Sequence, residues 1–189
     1  MRPRDDDDLA GWSSILDRAR SGSNQAFEEI YASLAPVVAG YLRMSGVSDV
    51  DGVTNEVFLH VLRGIRRFRG EWPGFRSWVF TIAHHRMVDD RRAAARRPTV
   101  VPMESIGDRE PTGDAEVDAL DSLSDDRLRS LLDGLSADQR AVLLLRIVAD
   151  LPLEQVADAV DKSVGAVKAL QHRALASLRR ALETEEVDT

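Results

Sequence analysis

The 189-residue chain contains no cysteine, which excludes a disulfide framework, a thiolate-bound zinc and a cysteine nucleophile and points to a cytoplasmic protein. Long apolar runs are missing too. The longest, Ala141 to Ala149, is broken by Arg146 and falls far short of the roughly 20 residues that span a bilayer, so no membrane insertion is expected. The amino terminus reads Met1-Arg2-Pro3-Arg4 followed by Asp5 to Asp8, without the apolar stretch and cleavage site of a secretory signal. No nucleophile elbow, phosphate-binding glycine loop or paired-carboxylate arrangement is present in the sequence. Nothing in it points to an enzyme or calls for a cofactor. His84, His85, Asp89 and Asp90 form the one grouping that resembles a ligand set, with His85 and Asp89 four apart on a helical face. No third and fourth ligand are evident, so a metal-dependent hydrolase ranks last among the readings.

What is present is a segregated charge pattern that the net value of −7 conceals. From His60 to Arg97 ten arginines stand against three acids, Glu71, Asp89 and Asp90. From Pro98 to Asp126 nine acids face only Arg109, with three prolines and two glycines interspersed. From Lys162 to Leu182 there are five lysines and arginines and no acid, and the end turns acidic again at Glu183. The layout is a basic unit, an acidic linker and a second, basic-ended unit.

The apolar spacing is helical nearly throughout and no segment alternates like a strand, so the fold expected is all-α. A short helix over Leu9 to Arg20 ends at Ser21-Gly22. Asn24 can cap the next, whose Phe27, Ile30, Tyr31, Leu34, Val38, Tyr41 and Leu42 recur at helical steps, with a bend expected at Pro36. Ser48-Asp49-Val50-Asp51 opens a third helix whose apolar positions are Val50, Val53, Val57, Phe58, Val61, Leu62 and Ile65. A loop from Arg69 to Gly74 then leads to a fourth helix, from Phe75 to about Ala95. In the second half a helix carrying Leu128, Leu131 and Leu132 ends at Gly134, and Ser136 with Gln139 forms a capping box before a very apolar helix. Pro152, about eight helical residues, a break at Asp161-Lys162 and a longer basic helix from Ser163 make a helix-turn-helix pattern. The divisions expected are a tail and short helix over 1–22, a first domain over 23–97, a flexible acidic linker over 98–123, a helix-turn-helix domain over 124–183 and an acidic tail over 184–189.

Two surfaces have the chemistry to bind nucleic acid. On the helix from Ser163, Val167, Ala174 and Leu178 step along one side, which leaves Ser163, Ala166, Lys168, Ala169, His172 and Arg173 outward for the major groove and its phosphates. In the first half, Phe68, Trp72, Phe75, Trp78 and Phe80 lie among arginines within thirteen residues. That mixture holds single strands, since aromatic faces stack on unpaired bases while guanidinium groups follow the backbone. Phe75, Trp78 and Ile82 recur at helical spacing and read equally as core, whereas Trp72, between Glu71 and Pro73 in a loop, has less reason to be buried.

Taken together, the two halves resemble the extracytoplasmic-function sigma factors of bacterial RNA polymerase, a branch of the sigma-70 family. Phe27-Glu28-Glu29-Ile30-Tyr31 is similar to the family's opening motif, Asp51 to Val61 to its polymerase-binding helix, and Arg67-Phe68-Arg69-Gly70 with Phe75 to Ala83 to its promoter-melting segment. Leu135 to Arg146 and the helix-turn-helix through Gly165-Ala166-Val167-Lys168 and His172-Arg173-Ala174 resemble its DNA-binding domain. The resemblance implies a chain that binds core RNA polymerase and promoter DNA and needs no cofactor of its own. It assigns Asp51, Asn55, Glu56, Phe58 and Leu59 to the clamp helices of the largest subunit, with the upstream-facing flap as a second polymerase contact. It assigns Arg67, Arg69, Trp72, Arg76, His84, His85, Arg91 and Arg92 to the −10 element, and the outward residues from Ser163 to Arg173 to the −35 element. An anti-sigma factor is implied as a further partner. The linker would run through the polymerase, and about 27 extended residues reach roughly 90 Å. The family's docking helix usually has leucine where Gly52 stands, and its recognition helix usually has an exposed arginine and a buried leucine where Leu170-Gln171 stands. The rival reading is a stand-alone helix-turn-helix regulator that binds duplex without polymerase.

Overall fold

The computed structural model describes residues 6–96 and 127–187. Among them are eight helices and no strand. The stretch expected to be the acidic linker, 98–123, lies outside the described residues, as do the first five and last two positions.

The first four helices are α1 (Asp6–Arg20), α2 (Asn24–Met44), α3 (Val50–Gly64) and α4 (Trp72–Arg96). Their boundaries follow from local chemistry. Gly22, at φ +97°, takes the left-handed conformation that lets the chain leave α1. Ser23, one residue before the expected cap, then accepts from Ala26 N–H at the start of α2. Asp49 caps α3 by accepting from Gly52 N–H at 2.9 Å. A Cβ on Gly52 would lie 2.2 Å from the Asp49 carboxylate, so the glycine in the first turn makes room for its own cap. The fourth helix begins at Trp72, three residues earlier than expected, and thus takes in Pro73. Proline fits there because the first turn has no intrahelical acceptor for its missing N–H.

The four helices enclose a core that includes Ile30, Val38, Tyr41, Val57, Phe58, Phe75, Phe80 and Met87. Each large apolar side chain buried in it contributes about 1.5–3 kcal/mol relative to exposure.

The second half begins with a helix over 127–133, here α5, followed by α6 (Ala137–Ile147), α7 (Leu153–Ala159) and α8 (Val164–Val187). Ser136 and Gln139 form the expected reciprocal capping box. As its composition requires, α6 is central: Ala141, Val142, Leu143, Leu144 and Leu145 are all buried. Asp161, at φ +52°, reverses the chain between α7 and α8, and the Ser163 hydroxyl accepts from Ala166 N–H to start α8. These are the two helices and tight turn of the expected helix-turn-helix.

The halves meet along α4 and α7, with a smaller contact between α2 and α6, and their buried residues form one continuous cluster. At this junction Arg76 Nε donates to the carbonyl of Ala149 at 3.0 Å. No helix among the described residues is long and apolar enough to cross a membrane.

Candidate nucleic-acid interface

On α8 the buried positions are Val167, Leu170 and Ala174, a three- and four-residue spacing that fixes the helix's rotation. The opposite side carries Lys168, Ala169, His172 and Arg173 in solvent, with Ser163 exposed at the start and Ala166 half-buried. All six residues expected on the outer surface are therefore accessible to some degree. Leu170-Gln171 is accommodated by turning the leucine inward and leaving the glutamine half-buried. Further along, Arg173, Arg179 and Arg180 line an open groove of about 660 Å³ with His172, with Gln139 at the start of α6 and with a single acid, Glu183. Such a cationic strip matches a phosphate backbone.

The arginine and aromatic segment is arranged differently from the expectation. Trp72 is only 3% exposed. Its ring is stacked on Trp12 of α1 at 4.5 Å and 14° and lies 5.7 Å from Phe75. Phe75 meets Phe68 edge-on, and Phe68 stacks on Trp78 at 5.3 Å. The indole of Trp78 in turn covers Gly64, where a Cβ would come within 2.8 Å of it. These aromatics stack on one another, so Trp72 is not presented to an unpaired base. Local sequence does not reveal this packing, because the partner, Trp12, lies sixty positions away.

The basic side chains divide into two groups. Arg67, Arg69, His85 and Arg92 are exposed and Arg91 is half-buried. Arg69 curls back so that Nη1 donates to the carbonyls of Arg66 at 3.0 Å and Phe68 at 3.1 Å, while Arg91 donates to the carbonyl of Ser45 and ties α4 to the end of α2. Arg92 lies 3.9 Å from Asp89. Arg76 and His84, by contrast, are 8% and 9% exposed and cannot reach DNA in this arrangement. Arg76 faces the Ala149 carbonyl and sits 5.9 Å from the Phe80 ring. His84 Nδ1 is 2.9 Å from the Tyr41 hydroxyl. Burial lowers the His84 pKa to about 4, reinforced by His85 and Arg91, and burial raises that of Tyr41. The phenol and the imidazole are therefore both neutral and share this buried hydrogen bond.

On α3, Asp51, Asn55, Glu56 and Leu59 are exposed, whereas Phe58 is 3% exposed and packs edge-on against Tyr31 at 4.7 Å. Phe58 thus supports this face from beneath instead of lying on it. Leu62, read from sequence as part of the apolar stripe, is 49% exposed, as is Leu59. Asn55, Leu59 and Leu62, at four- and three-residue steps, form a ridge with an apolar centre. Leu62 could have been found by noting that α3 carries more apolar residues than one buried stripe needs. Elsewhere, no group of three or more His, Asp or Glu residues among those described is arranged to hold a metal ion.

The comparisons with known proteins agree with this geometry. Residues 30–97 match the sigma-70 region 2 model and residues 131–180 the sigma-70 region 4 model. The extracytoplasmic-function RNA polymerase sigma factor ShbA of Streptomyces griseus is 32% identical, over 94% of this chain and 98% of that protein. The chain belongs to the extracytoplasmic-function sigma factors. As a sigma factor it directs RNA polymerase to begin transcription at specific promoters. Two solved structures share the fold. CnrH, in complex with the cytosolic domain of CnrY, aligns at a TM-score of 0.67 with 24% identity, over 91% of this chain and 97% of that one. The sigma factor RpoE of Bartonella quintana, in complex with the anti-sigma factor NepR, aligns at 0.62 with 17% identity, over 83% and 96%.

Proposed function

We propose that the sigma factor divides its work among three surfaces. The exposed ridge of α3, with Asp51, Asn55, Glu56, Leu59 and Leu62, docks on the clamp helices of the polymerase's largest subunit, and the second half meets the flap. The turn after α3 and the exposed side of α4, with Arg67, Arg69, His85, Arg91 and Arg92, hold the melted −10 strand. The outer side of α8, with Ser163, Ala166, Lys168, Ala169, His172 and Arg173, enters the duplex at the −35 element. In this reading the −10 unit runs over 23–97 and the −35 unit over 124–183, joined by the linker at 98–123. The polymerase supplies the active site and the chain contributes no catalytic residue or cofactor. Its place of work is the cytoplasm.

The observation that carries this reading is the outward row on α8 beside a buried row at helical spacing, within the region 4 match. Arg76 and His84 join the −10 surface only if the contact between the halves opens. An anti-sigma partner is proposed because RpoE, which shares the fold, was solved with one. It would cover the polymerase-facing ridge of α3.

The test is to add the purified protein to core RNA polymerase on genomic DNA from its source and map transcript starts. Discrete starts sharing a two-part upstream element are expected. Absence of a complex with active core, together with tight duplex binding by the protein alone, would favour the stand-alone regulator.

A further inference from the structure

The loop between α3 and α4 is held from outside the segment that matches sigma-70 region 2. Three contacts reach it from α1 and the turn that follows. Trp12 stacks on Trp72, the first residue of α4, and so fixes the downstream end of the loop. Arg20 donates to the carbonyl of Gly70 and places its guanidinium 5.4 Å from the centroid of the Phe68 ring. Asp17 holds Arg20 from behind, at 2.8 Å. At the upstream end, the Arg66 guanidinium lies against the backbone of Gly22, where a Cβ would be 3.0 Å from Nη2. Gly70 turns the chain at φ +141°, a conformation that no side chain of its own stabilises, and the Arg20 contact is made at this point.

We infer that α1 is a brace for the −10 loop, and that Arg20 and Trp12 are positioning residues for capture of the melted strand. This rests on the reading that the loop and α4 hold that strand. A free loop loses conformational entropy when it orders around a ligand. A loop already held by Arg20 and Trp12 has undergone that loss on folding, and a preorganised site binds more tightly and discriminates better. Arg20 suits the task because its planar guanidinium can lie over an aromatic ring while an N–H still points at a carbonyl. Neither residue needs to touch DNA.

The test uses holoenzyme reconstituted with core polymerase and a fluorescent single-stranded oligonucleotide carrying the non-template −10 sequence mapped for this sigma factor. Arg20→Met keeps most of the side chain's bulk and removes its donors. It is expected to weaken retention of the oligonucleotide by about tenfold, the scale of a lost hydrogen bond from a charged group. It should also shrink the preference over an oligonucleotide with its most discriminating base changed. Core affinity should stay at the wild-type value, the thermal midpoint should fall by no more than about 5 °C, and Arg20→Lys, which restores a donor, should recover part of the losses in retention and preference. Trp12→Leu tests the same brace at the other end of the loop, should Arg20→Met not accumulate as folded protein. Retention and preference equal to wild type in a properly formed variant holoenzyme would overturn the inference. If the wild-type holoenzyme itself fails to retain the oligonucleotide, the −10 reading falls and the inference with it, so the two failures are distinguishable.

Discussion

Replacing Trp72 by alanine separates a core role from a base-stacking role. The indole is 3% exposed, stacked on Trp12 at 4.5 Å and 5.7 Å from Phe75. Truncating a buried aromatic to alanine costs about 3–5 kcal/mol. The near-parallel stack, worth about 0.5–1.5 kcal/mol beyond burial, argues for the upper half of that range. Against a total stability of about 5–15 kcal/mol this is a large fraction. With a slope near 2 kcal/mol per molar urea, the unfolding midpoint should fall by roughly 2 M. Urea titration followed by circular dichroism reads it directly, and Trp72→Phe, which keeps a ring against Trp12, should lose less than half as much. An exposed base-stacking residue would behave differently, with a stability change within about 0.5 kcal/mol and a selective loss of −10 binding. That pattern in Trp72→Ala would refute the burial argument.

Three further outcomes follow from the packing. The folded-state pKa of His84 is lowered to about 4 by burial, below the unfolded value near 6.5. The unfolded chain therefore binds the proton first, so this contribution to stability is complete above about pH 6.5 and declines as pH falls toward 4; His84→Gln should flatten the urea midpoint's pH profile over that window. Two glycines should respond with opposite sign. Gly40→Ala, inside α2 with nothing near its Cβ, should stabilise by up to about 1 kcal/mol, whereas Gly64→Ala meets the Trp78 ring at 2.8 Å and should destabilise, because overpacking at about 1–3 kcal/mol exceeds the propensity gain. At the junction of the halves, Arg76→Ala leaves the buried Ala149 carbonyl without this donor, at a cost of about 1–3 kcal/mol. The radius of gyration measured by small-angle scattering should rise while helix content stays constant, and an unchanged radius would count against this hydrogen bond as one of the contacts that hold the halves together.

The helices were legible because their determinants are local. The Ser136–Gln139 box, the Asp49 cap and the Gly22 exit each lie within a few residues of the boundary they set. The outer side of α8 was legible for the same reason, since Val167 and Ala174 fix the rotation and leave Lys168, His172 and Arg173 outside. What could not be read depends on partners remote in sequence. Trp72 needed Trp12, Arg76 needed the carbonyl of Ala149, and His84 needed Tyr41; each looked exposed or uncommitted until the fold supplied its partner. Phe58 and Leu62 were misjudged for a subtler reason. Both are apolar and one turn apart on α3, yet Phe58 finds an aromatic partner in Tyr31 of α2 while Leu62 stays in solvent.

The division of labour between α3 and α8 is tested most directly by measuring core-polymerase affinity and −35-dependent transcription side by side for Leu59→Arg and for Lys168→Glu combined with Arg173→Glu. Both changes lie on exposed positions and should leave the fold intact. Leu59→Arg is expected to lose core binding and with it all transcription. The α8 double variant should bind core as the wild type does and lose transcription only from promoters that need the −35 element. Wild-type core affinity in Leu59→Arg, or loss of core binding in the α8 variant with −35 dependence retained, would contradict the account.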